Sequence, residues 1–236
     1  MSVAVAGCQA SFKASTGGEA TANNPPPPYN EPQQPGSAPR AAPMPGYYNP
    51  GTTTPPPNPG APRYTLPGGE TVPIITSPNV FGNGSSTSDA LRGFVYTLPA
   101  GTQRLPDLST LKPVGVVFTR TLDIPQRDFR EGFPGIDNGR NEWFAIRYEG
   151  TFNVSKTAPY SFRLRTDDGS NLYIDDVKLI DNDGLHGAAG GAKIITLSAG
   201  THRIRLDYFQ GPGPSMALQV FTSEVDRPER SFTTSF

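Results

Sequence analysis

Four stretches between residues 142 and 222 alternate apolar and polar side chains with a period of two. In 142–154 the apolar set is Phe144, Ile146, Tyr148, Phe152 and Val154, with Arg147, Glu149, Thr151 and Asn153 between them. Tyr160, Phe162 and Leu164 alternate with Ser161, Arg163 and Arg165. Ile204, Leu206 and Tyr208 alternate with Arg203, Arg205 and Asp207, and Met216, Leu218 and Val220 share a face. Neighbouring side chains of a strand point to opposite sides, so each stretch reads as a half-buried strand with one wet face. Gly, Pro, Asn and Asp cluster between the stretches, at 156–159, 166–170, 181–191, 198–200 and 211–214. Short strands interrupted this regularly predict an all-β fold, an antiparallel β-sandwich of the jelly-roll or barrel kind. No long amphipathic helix competes with that reading.

The chain joins two different materials. Its first 89 residues hold 7 charged residues, and the remaining 147 hold 34, balanced 17 against 17. Residues 25–78 contain 18 of the 27 prolines. With few Ile, Leu, Val or Phe, this first part has little to return for the entropy of ordering its backbone. Runs such as Pro25–Pro28 and Pro55–Pro57 favour an extended polyproline coil. Residues 9–89 therefore read as a disordered Pro- and Gly-rich linker, residues 90–225 as the sandwich, and 226–236 as a C-terminal tail. A PxxP ligand is the other reading of the linker, but no basic pattern flanks it convincingly.

Composition excludes several classes. A net charge of -1 excludes a basic nucleic-acid clamp. No run of 18 apolar residues exists to span a bilayer as a helix. One cysteine forms no internal disulfide, and no Cys/His cluster offers a zinc site. His186 and His202 belong to no HExxH, GxSxG or carboxylate-plus-His spacing, so structural hydrogen bonding is the expected use of both. No phosphate-binding glycine loop and no enzyme signature appear.

Val5-Ala6-Gly7-Cys8 places two small residues before a cysteine. It resembles the lipobox of bacterial lipoproteins, and residues 1–8 then read as the remnant of a signal, although only seven residues precede the cysteine and none is basic. That resemblance implies lipidation of Cys8, a membrane anchor, and secretion to the cell surface. Gln9 after the cysteine implies the outer membrane, where the cell has one.

The string 160–175, YSFRLRTDDGSNLYID, is followed by 180–186, IDNDGLH, then 197–202, LSAGTH, and 205–211, RLDYFQG. Upstream stands 142–150, EWFAIRYEG. These blocks, in this order, resemble the protective-antigen or PA-fourteen domain, across roughly residues 93–222. The resemblance implies a β-sandwich, usually non-catalytic, found in toxins, glycosidases, surface lipoproteins and flocculins. Several members bind glycans, and one branch does so through calcium.

That branch pairs two adjacent aspartates through a cis link, which turns both carboxylates to one side. The role would fall here on Asp167 and Asp168, with calcium as the cofactor and sugar hydroxyls completing its oxygen shell. The facing loop 210–215 lacks the Asn of that branch, so main-chain carbonyls, Gln210 and Ser215 would have to serve. The competing reading is structural: Asp168-Gly169 is a hairpin-turn signal between strands at 160–166 and 171–175. Asp181-Asn-Asp-Gly184 lacks EF-hand spacing and reads as a turn. Trp143 and Tyr173 are candidate sugar platforms. Tyr173 is the better one, because it should face away from Leu172 and Ile174.

The expected function is that of a non-catalytic, lipid-anchored surface protein of a bacterium. Its sandwich binds carbohydrate with calcium, through Asp167, Asp168, Gln210 and Tyr173. The alternative is a structural or protein-contact module of the envelope. Expected partners are a glycan or a cell-surface protein, and not nucleic acid.

Overall fold

The computed structural model describes residues 60, 62–75, 91–128, 131–133 and 142–234. Cys8, the lipobox and most of the expected linker lie outside the described residues.

Thirteen strands and a 3₁₀ turn, Leu108–Thr110, make up the described part. They are β1 (Arg63–Thr65), β2 (Thr71–Pro73), β3 (Leu91–Thr97), β4 (Gly115–Thr119), β5 (Asp123–Asp128), β6 (Phe144–Val154) and β7 (Ala158–Asp167). There follow β8 (Ser170–Ile174), β9 (Val177–Asn182), β10 (Ala192–Leu197), β11 (Gly200–Gln210), β12 (Ser215–Glu224) and β13 (Arg230–Ser231). One sheet runs β4-β3-β6-β11-β8-β9. The other runs β10-β7-β12-β13, with β5 also paired to β12. All the strand pairings in both sheets are antiparallel.

The period-two residues form the interior. Ile146, Tyr148, Phe152, Leu172, Leu206 and Tyr208 of the first sheet meet Phe162, Leu164, Leu218 and Val220 of the second in one cluster. Phe152 sets its ring edge-on to Phe162 at 6.1 Å and to Phe232 at 5.6 Å. The chain is therefore the antiparallel β-sandwich that the alternation predicts.

Two boundaries differ from the expectation. Residues 62–75, assigned to the linker, carry the hairpin β1–β2. Its Tyr64 and Val72 pack on Phe94, Val116 and Phe118, which form a second cluster on the outer face of the six-stranded sheet. Ile75 donates its N–H to Val116 O at 2.8 Å, tying the hairpin to edge strand β4. Tyr64, Leu66, Val72, Ile74 and Ile75, scattered among prolines and glycines, show no strand period; they pack against a surface that the later sequence builds. The tail expected at 226–236 also joins the sandwich. β13 pairs with β12, and Phe232 is wholly buried in the main core.

The hairpin expected across Asp168-Gly169 is absent. β7 belongs to the five-stranded sheet and β8 to the six-stranded one, so the chain crosses between layers here. The corner is crowded. A Cβ on Gly169 would stand 2.4 Å from Phe209 Cε1 and 2.6 Å from Gly184 N. The turn signal therefore marked a close backbone approach, which glycine also serves.

Candidate functional site

The corner between the sheets carries both acids of the predicted site. The Asp167–Asp168 peptide is cis, as is Gly213–Pro214 in the facing loop. Both carboxylates reach that loop. Ser215 Oγ donates to Asp167 Oδ2 at 2.6 Å, and Gly211 N donates to Asp168 Oδ2 at 2.8 Å. Gln210 Nε2 donates to the same Asp168 oxygen at 3.2 Å, and His186 N to Asp168 Oδ1 at 3.1 Å. Each acid is only 4% exposed.

Charge is poorly compensated there. Among the described residues no Lys or Arg pairs with either carboxylate, and Arg165 acts on Asp167 only from farther off. Burial pushes the Asp168 carboxyl up to about 6, opposed by the Gly211 N–H and aided by the charge of Asp167. Burial likewise raises Asp167 above the usual carboxylate range, against the Ser215 hydrogen bond. Two adjacent, desolvated carboxylates at a sheet rim are a site that a cation would relieve.

The donor set fits calcium in part. A carboxylate offers about four lone pairs, and three N–H donors occupy Asp168. Acceptor positions remain on Asp168 and on Asp167, which accepts from Ser215 Oγ and the Ala188 backbone N–H. No group of three His, Cys, Asp or Glu side chains gathers among the described residues. Protein carboxylates would thus supply a minority of the six to eight oxygens calcium takes, leaving room for outside oxygens.

Gln210, expected among the ligands, points its amide inward. It is wholly buried. Its Oε1 lies 2.5 Å from the Tyr208 hydroxyl, and its Nε2 is spent on Asp168 and on Ser215 O at 3.3 Å. It braces the site from beneath. Tyr208, whose hydroxyl also lies 2.8 Å from Asp167 O, completes that brace. The alternation of β11 marked Tyr208 only as core, so this support was not legible in the sequence.

Tyr173 stands apart from the acids. It is half-buried on the outer face of β8, with the Arg205 guanidinium 3.7 Å above its ring. One face of the ring is therefore covered by a cation. Trp143 is 8% exposed and packs in the outer cluster with Phe94, Ala145 and Phe209. It is a core residue and no platform.

Both histidines are tied by hydrogen bonds. His186 Nδ1 and Nε2 each lie 2.9 Å from a carbonyl, of Gly187 and Asn182. Its N–H on Asp168 makes its loop part of the site. His202 Nδ1 lies 2.7 Å from Asp175 Oδ2, and Nε2 2.8 Å from Ser198 O. In the loop 181–184, Asp183 Oδ1 accepts Leu105 N at 2.8 Å, so this acid anchors a neighbouring segment.

The architecture is that of an antiparallel β-sandwich, with its acidic pair where loops from both sheets converge. Residues 134–230 match the family model of the PA14 domain. The sandwich itself begins earlier, at β3. The PA14 sugar-binding domain of an RTX adhesin is similar at 17% identity and a TM-score of 0.52, over 61% of this chain and 95% of that one. The PA14 domain of the MpAFP antifreeze protein is similar at 16% identity and a TM-score of 0.53, over 64% and 92%. The curated anti-sigma-I factor RsgI3 of Acetivibrio thermocellus is 29% identical over 103 residues, 43% of this chain and 16% of that protein. The match thus spans a small part of that relative's length. No helix among the described residues is long and apolar enough to cross a membrane.

Proposed function

We propose that this chain is a non-catalytic surface protein whose PA14 domain binds carbohydrate through a calcium ion held by Asp167 and Asp168. The observation that carries this reading is the buried acid pair, which among the described residues has no Lys or Arg at ion-pair distance and which takes hydrogen bonds from Gly211 N and Ser215 Oγ of the facing loop. The adhesin domain of the same fold, described as sugar-binding, supports a glycan as the ligand. Cys8 supports a lipid anchor that holds the domain at a bacterial cell surface, with the Pro-rich segment as its stalk.

When bound, calcium supplies a hard centre that exchanges water for vicinal sugar hydroxyls. The chain's own residues do the rest. Asp167 and Asp168 give the charge. Gly211, Gln210 and His186 fix the Asp168 carboxylate in place, and Ser215 fixes Asp167. Tyr208 and Gln210 hold the peptide beneath.

Glycan-array binding with calcium and with a chelator tests the reading. Chelator-sensitive binding, lost in Asp168→Asn with the fold retained, is expected. Binding that survives both treatments overturns the calcium site. No binding on a broad array favours the alternative, a structural or protein-contact module.

A further inference from the structure

The outer face of the six-stranded sheet carries a second polar construction, away from the acid pair. β8, β11 and β6 align Asn171, Asp207 and Arg147 in one cross-strand row. The next row aligns Tyr173, Arg205 and Glu149. The loop before the 3₁₀ turn borders, with these rows, an open cleft of about 350 Å³. Asp107, at its rim, spends Oδ1 on Ser109 N and Oγ, at 2.9 and 2.6 Å.

The hydrogen bonds of the floor do not close. Arg147 is spent: its Nε and Nη2 donate to Asp207 Oδ1 and Oδ2 at 2.7 and 3.1 Å. Arg205 is not. Its Nε is buried without an acceptor, 3.6 Å from Asp207 Oδ2. The Tyr173 ring below holds its guanidinium in position. Asn171 is 8% exposed, and its Oδ1 is buried without a donor. The floor thus presents Arg205 Nε and Asn171 Oδ1, each without a hydrogen-bond partner, beside the Arg147–Asp207 pair. Arg147 and Arg205 there face Asp207 and, at the rim, Asp107, and Arg205 is the cation whose Nε keeps no acceptor. Unpartnered buried polar groups cost free energy that a complementary ligand returns.

We propose that this cleft is a second binding site, for a small carboxylate that also carries hydroxyl groups, of the acidic-sugar class. Arg205 takes the carboxylate, for which a planar guanidinium fork is well shaped. Asn171 Oδ1 accepts from a hydroxyl. The volume suits a single sugar unit. The site owes nothing to calcium or to Asp167 and Asp168, so it stands whether or not that reading holds.

Titration of the ¹⁵N-labelled full chain with D-glucuronate, in the presence of EDTA, tests it. Saturable shifts of the Arg205 Nε–H and the Asn171 and Tyr173 signals are expected, with a millimolar Kd. D-Glucose and acetate each lack one of the two partners and should bind at least about tenfold more weakly. Arg205→Gln should weaken glucuronate by a similar factor while Asp168→Asn leaves it unchanged, with melting curves confirming that both variants fold. No saturation, shifts that map elsewhere, or glucose binding as well as glucuronate overturns the proposal. So does dependence on Asp168. The wild-type shift map decides even if Arg205→Gln fails to fold.

Discussion

Gly211 donates its backbone N–H to Asp168 Oδ2 at 2.8 Å, and a Cβ at Gly211 would stand 3.2 Å from that same oxygen. The contact joins the inter-sheet corner to the end of β11. It holds one carboxylate still while leaving its charge uncompensated.

Gly211→Ala should therefore damage the site more than the fold. The added methyl meets Leu185 Cδ2 at 2.4 Å, the flexible end of a side chain that yields at modest cost. Stability should fall by about 1–2 kcal/mol, and calcium affinity, read by calorimetry, by about tenfold or more.

Asp168 makes the calcium-free fold sensitive to pH. Its folded carboxyl sits at about 6, above its value of 3.8 in a model compound. The protonated form is thus favoured by folding. The stability it contributes is fully present below pH 4 and is lost as pH rises through 6, by on the order of 2–3 kcal/mol. Chelator-treated protein should melt with a slope of that sign across this window. Asp168→Asn should flatten the slope and abolish stabilisation by calcium.

His202 contributes a second slope of the same sign at higher pH. Burial works against its charge, but the hydrogen bonds to Asp175 and to the Ser198 carbonyl outweigh it and raise the imidazole above 6.5. Its stabilisation is present below the unfolded value and is lost as pH rises through the folded one. Asp175 is nearly half exposed, so the effect is about 1 kcal/mol or less. Asp175→Asn should remove this slope in melts recorded between pH 6 and 8.

Gly190 lies against the backbone of β7. A Cβ there would stand 1.8 Å from Leu164 O, and backbone does not yield as a side chain does. Gly190→Ala should cost about 3 kcal/mol or more in urea unfolding. Gly187→Ala in the same loop meets nothing within 4 Å and should change little.

Phe232 provides the sharpest check on the domain's end. It is wholly buried against Phe152, beyond the boundary that the sequence pattern suggests. Phe232→Ala should destabilise the sandwich by about 3–5 kcal/mol.

Alternation alone marked β6, β7, β11 and β12, because a strand with one buried face writes its period directly into the residue order. The family blocks then placed Asp167 and Asp168 together at a rim. The sequence could not say that residues 160–175 leave one sheet for the other, since a hairpin and a crossover use the same Asp-Gly corner. Nor could it say that Gln210 faces inward beneath the acids, or that Tyr64, Val72 and Phe232 find a surface to bury against. Period two is a local property of the backbone and survives in one dimension. Which sheet a strand joins, which polar groups are left without partners, and which oxygen stays free depend on segments tens of residues apart. Only the packed chain brings those segments together.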